Sequence, residues 1–185
     1  MLSKFKGVTP KLLKPITSKL VKLGIKPNHI TVLSLISGIF AFVLISLKYL
    51  YLGALFVLLS GFFDMLDGAL ARSYNLVSDF GAFLDSVVDR YVDVLIFISL
   101  GIYGIDWLLI TVAMSGALLV SYTRARAENI IEKCDVGIAE RGERLIILFA
   151  GIVTGFIYES ILIVAVLSHI TALHRIIYTF RESRR

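Results

Sequence analysis

The chain reads as an all-α integral membrane protein with six transmembrane helices and an amphipathic N-terminal helix lying in the membrane interface. Two observations carry that reading. The 185 residues are 57% hydrophobic with a mean hydropathy of +0.85, and apolar runs recur at the roughly 20 residues that cross a bilayer. Lysines and arginines gather where those runs end, so the net charge of +5 is interfacial and nucleic acid is not expected as a partner. Cys134 is the one cysteine, which rules out an intrachain disulfide and a thiolate metal cluster. The length suits a single membrane domain over 1–185, with 1–27 as a juxtamembrane segment. Seven lysines and no apolar core among the first thirty residues argue against a cleavable signal peptide.

Residues 9–24 are expected to form the interfacial helix. Thr9 caps it, Pro10 takes the first helical position, and Leu12, Ile16, Leu20 and Leu23 recur at helical spacing. Lys11, Lys14, Lys19 and Lys22 flank that stripe and suit anionic headgroups. Pro15 should kink or restart the helix. Six spans follow at about 29–47, 50–72, 81–100, 105–127, 143–158 and 160–179. Asn28, in Pro27-Asn28-His29-Ile30-Thr31, is the expected N-cap of the first. Tyr158-Glu159-Ser160 is the expected break between the last two, because a single helix of about 37 apolar residues far exceeds one bilayer.

With six spans, the N-terminal lysines, Arg72, the loop near 128–142 and the C-terminal Arg181, Arg184 and Arg185 share one side. The opposite loops offer Lys48, Asp106 and Glu159. Both termini and the active site are therefore expected on the cytoplasmic face of a cell membrane.

Asp64, Asp67, Asp85 and Asp89 stand inside apolar helices, where ionised groups are costly and need a compensating partner. Asp64 and Asp67 are three apart and Asp85 and Asp89 four apart, so each pair shares a helical face. Two facing pairs of hard oxygen ligands make a cage for divalent cations of the magnesium or manganese kind. A pair of such metals would offset the burial of the acids, neutralise a diphosphate and polarise its phosphorus. Asp64 to Arg72 covers about 12 Å of helix at 1.5 Å per residue, so the cluster sits near the cytoplasmic end of the second span. Gly68 and Ala71 lie on a neighbouring stripe and leave room for a backbone or a flat ligand to approach. A salt-bridged polar core, with Asp79 or Asp93 paired to Arg72 or Arg90, accounts for one or two acids but not four at these spacings.

A second constellation brackets the fourth and fifth spans. Ser121 and Arg124 are three apart, as are Arg141 and Arg144, and Arg175 lies near the end of the sixth span. Guanidinium groups grip phosphate through paired hydrogen bonds, so these arginines point to an acceptor that carries phosphate. Ordinary positive-inside anchoring, with Glu128, Glu140 and Glu143 as partners, is the competing explanation.

Asp64-x2-Asp67-Gly68-x2-Ala71-Arg72-x8-Gly81-x3-Asp85-x3-Asp89 resembles, at every fixed position, the signature of the CDP-alcohol phosphotransferase family. The resemblance extends over nearly the whole six-span frame. It implies a transferase that moves a substituted phosphoryl group from a CDP-linked lipid to an alcohol and releases CMP. It also implies a two-metal centre (Mg2+ or Mn2+) held by the four acids, with Asp89 as general base. By the same likeness Gly68, Ala71, Arg72 and Gly81 line the nucleotide site, with Asn28 and Thr31 near it. Asn75 stands where relatives often carry glycine, and asparagine tolerates the left-handed turn. The Ser-Tyr-x-Arg-Ala-Arg-Ala-Glu and Ala-Glu-Arg-x-Glu-Arg strings resemble the family's inositol-phosphate-using branch. That likeness assigns the acceptor phosphate to Ser121, Arg124, Arg141, Arg144 and Arg175, and it favours a homodimer.

The expected reaction is transfer of the phosphatidyl-type group of CDP-archaeol or CDP-diacylglycerol to a hydroxyl of inositol 1-phosphate. The lipid enters between helices and the polar acceptor from the cytosol. Within the family the alternatives are a phosphatidylglycerophosphate synthase and a di-inositol-phosphate synthase. An intramembrane prenyltransferase also uses acidic helices and magnesium, but would not call for the glycine, alanine and arginine spacers. A divalent-cation transporter is the non-enzyme alternative.

Overall fold

The computed structural model describes residues 9–184, which form seven α-helices and, among the described residues, no strand. They are α1 (Thr9–Lys22), α2 (Pro27–Ser46), α3 (Leu50–Ser73), α4 (Asp79–Tyr103), α5 (Trp107–Ala127), α6 (Arg141–Thr154) and α7 (Ile157–Glu182). Four of them (α2, α3, α5 and α7) are long and apolar enough to cross a membrane. α4 has the length but carries Asp85, Asp89, Arg90 and Asp93 along its middle. The 14 residues of α6 reach only about 21 Å, short of the roughly 30 Å hydrocarbon core. The chain divides into two compact units, the division falling within the α4 sequence between Ser99 and Leu100.

In the first unit α2 packs along α3. Ser34 donates to the Ser60 carbonyl at 3.0 Å and its hydroxyl also meets that of Ser60 at 3.0 Å, so two hydroxyls are satisfied inside an apolar seam. Phe40 and Phe56 stack at 5.2 Å between ring centroids. α1 lays Leu13 into a buried cluster with Ile30, Leu66, Ala69 and Leu70, leaving Lys14, Lys19 and Lys22 exposed. Of the kink or restart expected at Pro15, the restart does not occur: α1 runs on as one helix through it. The proline forfeits one helical bond, and Leu13 and Thr17, buried on either side, hold the segment against that loss. Lys4 and Lys6, with the side chains of Thr9, Lys11 and Leu12, lie outside the described residues.

The turns are specified locally. Lys26, not Asn28, holds the N-cap of α2, because the fixed φ of Pro27 makes it the first helical residue and draws Asn28 into the first turn. After α3, Asn75 adopts φ +53°, the left-handed conformation expected of it. Leu76 N–H then bonds the Ala71 carbonyl at 3.0 Å and Tyr74 N–H bonds that of Leu70 at 3.3 Å, closing the helix end. Ser78 opens α4 by accepting from Gly81 N–H at 3.1 Å. Five residues, 74–78, thus reverse the chain and set α4 beside the acidic end of α3.

In the second unit α7 packs against both α5 and α6. Asp106 caps α5 by accepting from Leu109 N–H at 3.0 Å. The break between the last two helices falls at Gly155-Phe156 rather than at Tyr158-Glu159-Ser160. Gly155, at φ +84°, ends α6 in a conformation that a side chain disfavours, and Glu159 falls in the first turn of α7, where a negative charge suits the helix N-terminus.

Candidate functional site

In the first unit α2, α3, the 74–78 turn and α4 enclose a cleft. Asn28, Thr31, Gly68, Ala71, Arg72 and Gly81, all singled out in the sequence, line it together with Asp67 and Asp85. Its volume of about 180 Å³ is below the roughly 300 Å³ of a pocket that swallows a whole small molecule, so a nucleotide would lie partly outside it. The absence of a side chain at Gly81 keeps the cleft open: a Cβ there would stand 2.9 Å from Ser78 Oγ and 3.1 Å from Asn28 Oδ1. Arg72 folds its guanidinium back over Gly68.

Asp64, Asp67 and Asp85 each offer a carboxylate oxygen within 4.8 Å of the others. Like charges this close are relieved by a cation or a proton between them, and an all-carboxylate donor set suits a hard divalent ion. Asp67 is 4% exposed and accepts from Thr31 Oγ1 at 2.6 Å. Thr31, itself 2% exposed, also lies 3.3 Å from the Pro27 carbonyl; it has one proton, and the shorter contact to a carboxylate takes it. Three of the four expected carboxylates converge in this way. Asp89 stands one turn beyond Asp85, about 6 Å along the axis, and its Oδ2 lies 3.8 Å from Arg90 Nη1. Arg90 also donates to the Ser86 carbonyl at 2.7 Å.

In the second unit the 128–140 segment gathers the arginines. Arg124 donates from Nε to Glu128 at 2.9 Å and from Nη2 to Asp135 at 2.8 Å, with Glu140 4.0 Å from Nη1. Arg175, 2% exposed, gives its guanidinium to the carbonyls of Val120 and Val136 and stands 3.7 Å from Glu140. Arg144 is buried as well and donates to the Ala139 carbonyl at 3.2 Å. Ser121 and Arg141 are half-buried. Arg124 is thus engaged by acidic side chains, while Arg175 and Arg144 use part of their hydrogen-bonding capacity on the backbone.

The family model for CDP-alcohol phosphatidyltransferases matches residues 25–176. The chain belongs to that family. It is 36% identical to the archaetidylinositol phosphate synthase of Methanothermobacter thermautotrophicus, over 98% of this chain and 95% of the relative. Its fold is similar to that of Mycobacterium tuberculosis phosphatidylinositol phosphate synthase with CDP-DAG bound, at a TM-score of 0.80 and 31% identity, covering 92% of this chain and 94% of the other. The same mycobacterial enzyme in complex with manganese and citrate matches at a TM-score of 0.79 and 31% identity, over 90% and 88% of the two chains.

As a CDP-alcohol phosphatidyltransferase, the chain is a multi-pass membrane enzyme of phospholipid synthesis. Several residues of its site escaped the sequence reading. Ser78 is one, although a serine just ahead of an apolar-periodic run is a recognisable helix start. Thr171 is another: its hydroxyl accepts from Ile138 N–H at 3.2 Å and Ala139 N–H at 3.1 Å, pinning the 128–140 segment to α7. Gly137 permits that contact, because its φ is +139° and a Cβ there would press on Thr171 Cγ2. Asp135 has no periodic signal at all, since it reaches Arg124 from an irregular segment.

Proposed function

We propose that this CDP-alcohol phosphatidyltransferase transfers the lipid-bearing phosphoryl group of CDP-archaeol or CDP-diacylglycerol to a hydroxyl of inositol 1-phosphate, releasing CMP. The observation that carries the donor half is the single cleft shared by Asn28, Thr31, Gly68, Ala71, Arg72 and Gly81 beside converging carboxylates. The acceptor half rests on the arginine cluster around 121–144 and on the names of the relatives. In the reaction the inositol oxygen bonds to the lipid-bearing phosphorus, the bridging oxygen leaves with CMP, and the hydroxyl proton passes to Asp89. Ser121, Arg124, Arg141 and Arg144 would hold the acceptor phosphate, with Arg175 behind them.

Asp64, Asp67, Asp85 and Asp89 would hold two Mg2+ or Mn2+ ions, and Thr31 fixes the orientation of Asp67. Bound there, such ions supply charge neutralisation for a diphosphate. The carboxylates set their position, and the cleft wall of Gly68, Ala71 and Gly81 admits the nucleotide.

The finer topology belongs to the same reading. α4 and α6 join the four apolar helices to make six crossings of one membrane domain, with α4 continuous through the boundary between the units. The acidic side chains of α4 are tolerated because they face a polar site rather than lipid. α1 lies in the interface with its exposed lysines toward anionic headgroups, both termini are cytoplasmic, and the enzyme works as a homodimer.

The test is CMP release by the purified protein with CDP-archaeol or CDP-diacylglycerol and a panel of inositol 1-phosphate, glycerol 3-phosphate and free inositol. CMP release with inositol 1-phosphate well above the other two is the expected result. Preference for glycerol 3-phosphate would replace the acceptor, and no CMP with any of them would remove the reading.

A further inference from the structure

The guanidinium of Arg124 is occupied along the edge that a phosphate prefers. Nε and Nη2 point the same way and form the two-pronged side of the arginine fork, and here Glu128 takes Nε and Asp135 takes Nη2. Three acids, Glu128, Asp135 and Glu140, stand against Arg124, with Lys133 and Arg175 paired to the same acids. A phosphate reaching this guanidinium meets nitrogens that are already taken, so a carboxylate must yield.

The three acids are not equally able to do so. Glu128 caps the end of α5, one turn after Arg124, and is held by its own helix. Glu140 is 17% exposed and lies between Arg124 and Arg175. Asp135 sits in the irregular 128–140 segment and its side chain is 40% exposed. Its other oxygen already has a second cation, because Oδ2 is paired with the ammonium of Lys133. That hydrogen bond and charge hold the Lys133 ammonium above its usual range.

We infer that Asp135 is an internal stand-in for the acceptor's phosphate: it occupies Nη2 of Arg124 before the acceptor binds, and gives up that nitrogen to the phosphate while keeping its pairing with Lys133. Asp135 then acts on specificity. An acceptor lacking a phosphate cannot displace it, so the site stays closed to neutral alcohols. This inference rests on the assignment of the acceptor phosphate to Arg124.

The experiment measures kcat and KM for inositol 1-phosphate, and inhibition by inorganic phosphate, in Asp135→Asn, Lys133→Ala and Arg124→Ala. Breaking an exposed ion pair changes binding by about two- to fivefold. Asp135→Asn should lower the acceptor KM, and the inhibition constant for inorganic phosphate, by about that factor, with kcat moving less and the KM for CDP-lipid unmoved. Lys133→Ala should act in the opposite sense, because Asp135 loses the partner it keeps on giving up Arg124. Lys133 is 71% exposed, so its removal leaves the fold untouched and keeps the test decisive if Asp135→Asn fails to accumulate. An unchanged or raised KM in Asp135→Asn, or a lowered one in Lys133→Ala, overturns the inference. If Arg124→Ala raises the KM while Asp135→Asn does not lower it, the stand-in alone is wrong. An Arg124→Ala enzyme with an unaltered acceptor KM removes the underlying assignment as well.

Discussion

Thr31→Val tests the link between the nucleotide cleft and the carboxylates. Valine matches threonine in shape and replaces the hydroxyl with a methyl, so the fold keeps its packing while Asp67 loses its donor. The lost bond is 2.6 Å long, between groups 2% and 4% exposed, and water does not replace it. A hydrogen bond to a charged group is worth about 1.5–3 kcal/mol, which is roughly a 10- to 150-fold change in an equilibrium constant. Because Thr31 orients a ligand rather than reacting, the loss should fall on metal affinity, and the range agrees with the 10- to 100-fold typical of residues that orient metal ligands. Titrating Mn2+ into the apo protein, with free Mn2+ read by electron paramagnetic resonance, measures it directly. CMP release against Mn2+ concentration should shift by the same factor and recover at saturating metal, and Thr31→Ser should restore the wild-type curve. A Thr31→Val protein that binds Mn2+ like the parent would refute the reasoning, because the short contact would then carry no weight in holding Asp67.

Three further outcomes follow from the geometry. Asp89→Asn should lower turnover by at least about 100-fold, the low end for a general base, while equilibrium binding of CDP-lipid changes little; near-normal turnover would remove the base. Gly81→Ala places a methyl close to Ser78 Oγ and Asn28 Oδ1, both ends of side chains that can rotate. A cost near 1 kcal/mol, the lower end for overpacking, should raise the KM for CDP-lipid about fivefold, measured at saturating acceptor. Arg175→Met removes the guanidinium donor of the Val136 carbonyl, at about 1–3 kcal/mol, while the Val120 carbonyl keeps Thr123 Oγ1 at 3.2 Å. It should lower the unfolding midpoint and speed proteolysis within 128–140, and a mutant as protease-resistant as the parent would show that Arg175 does not anchor that segment.

Periodicity and apolar run length are local properties, and they located six helices to within a few residues together with the helix that precedes them. They misplaced details wherever a single residue's backbone decided the outcome. Pro27 moved the cap of α2 off Asn28, and Gly155 moved the last break three residues upstream of Tyr158. Asn75 was legible because a left-handed helix end depends on one residue's own φ. Run length alone counts six apolar segments; among the described residues four helices meet length and composition together, α4 being interrupted by its acids and α6 being short.

The donor set of the candidate site was legible in one dimension: three- and four-residue spacings put carboxylates on shared helical faces, and the Gly, Ala and Arg positions between them followed the same rule. Depth and pairing were not, because they depend on how far one helix slides past another. That offset joins Asp85 to Asp64 and Asp67 while leaving Asp89 a turn away, and it brings Thr31 to Asp67 across 36 positions of chain. Helical spacing also could not say what each arginine bonds. Arg175 reads from the sequence like Arg124, but packing commits it to carbonyls at Val120 and Val136, 55 and 39 residues away, whereas Arg124 bonds the side chains of Glu128 and Asp135. A side chain's partners are set by contacts between distant segments, and those exist only once the chain has folded.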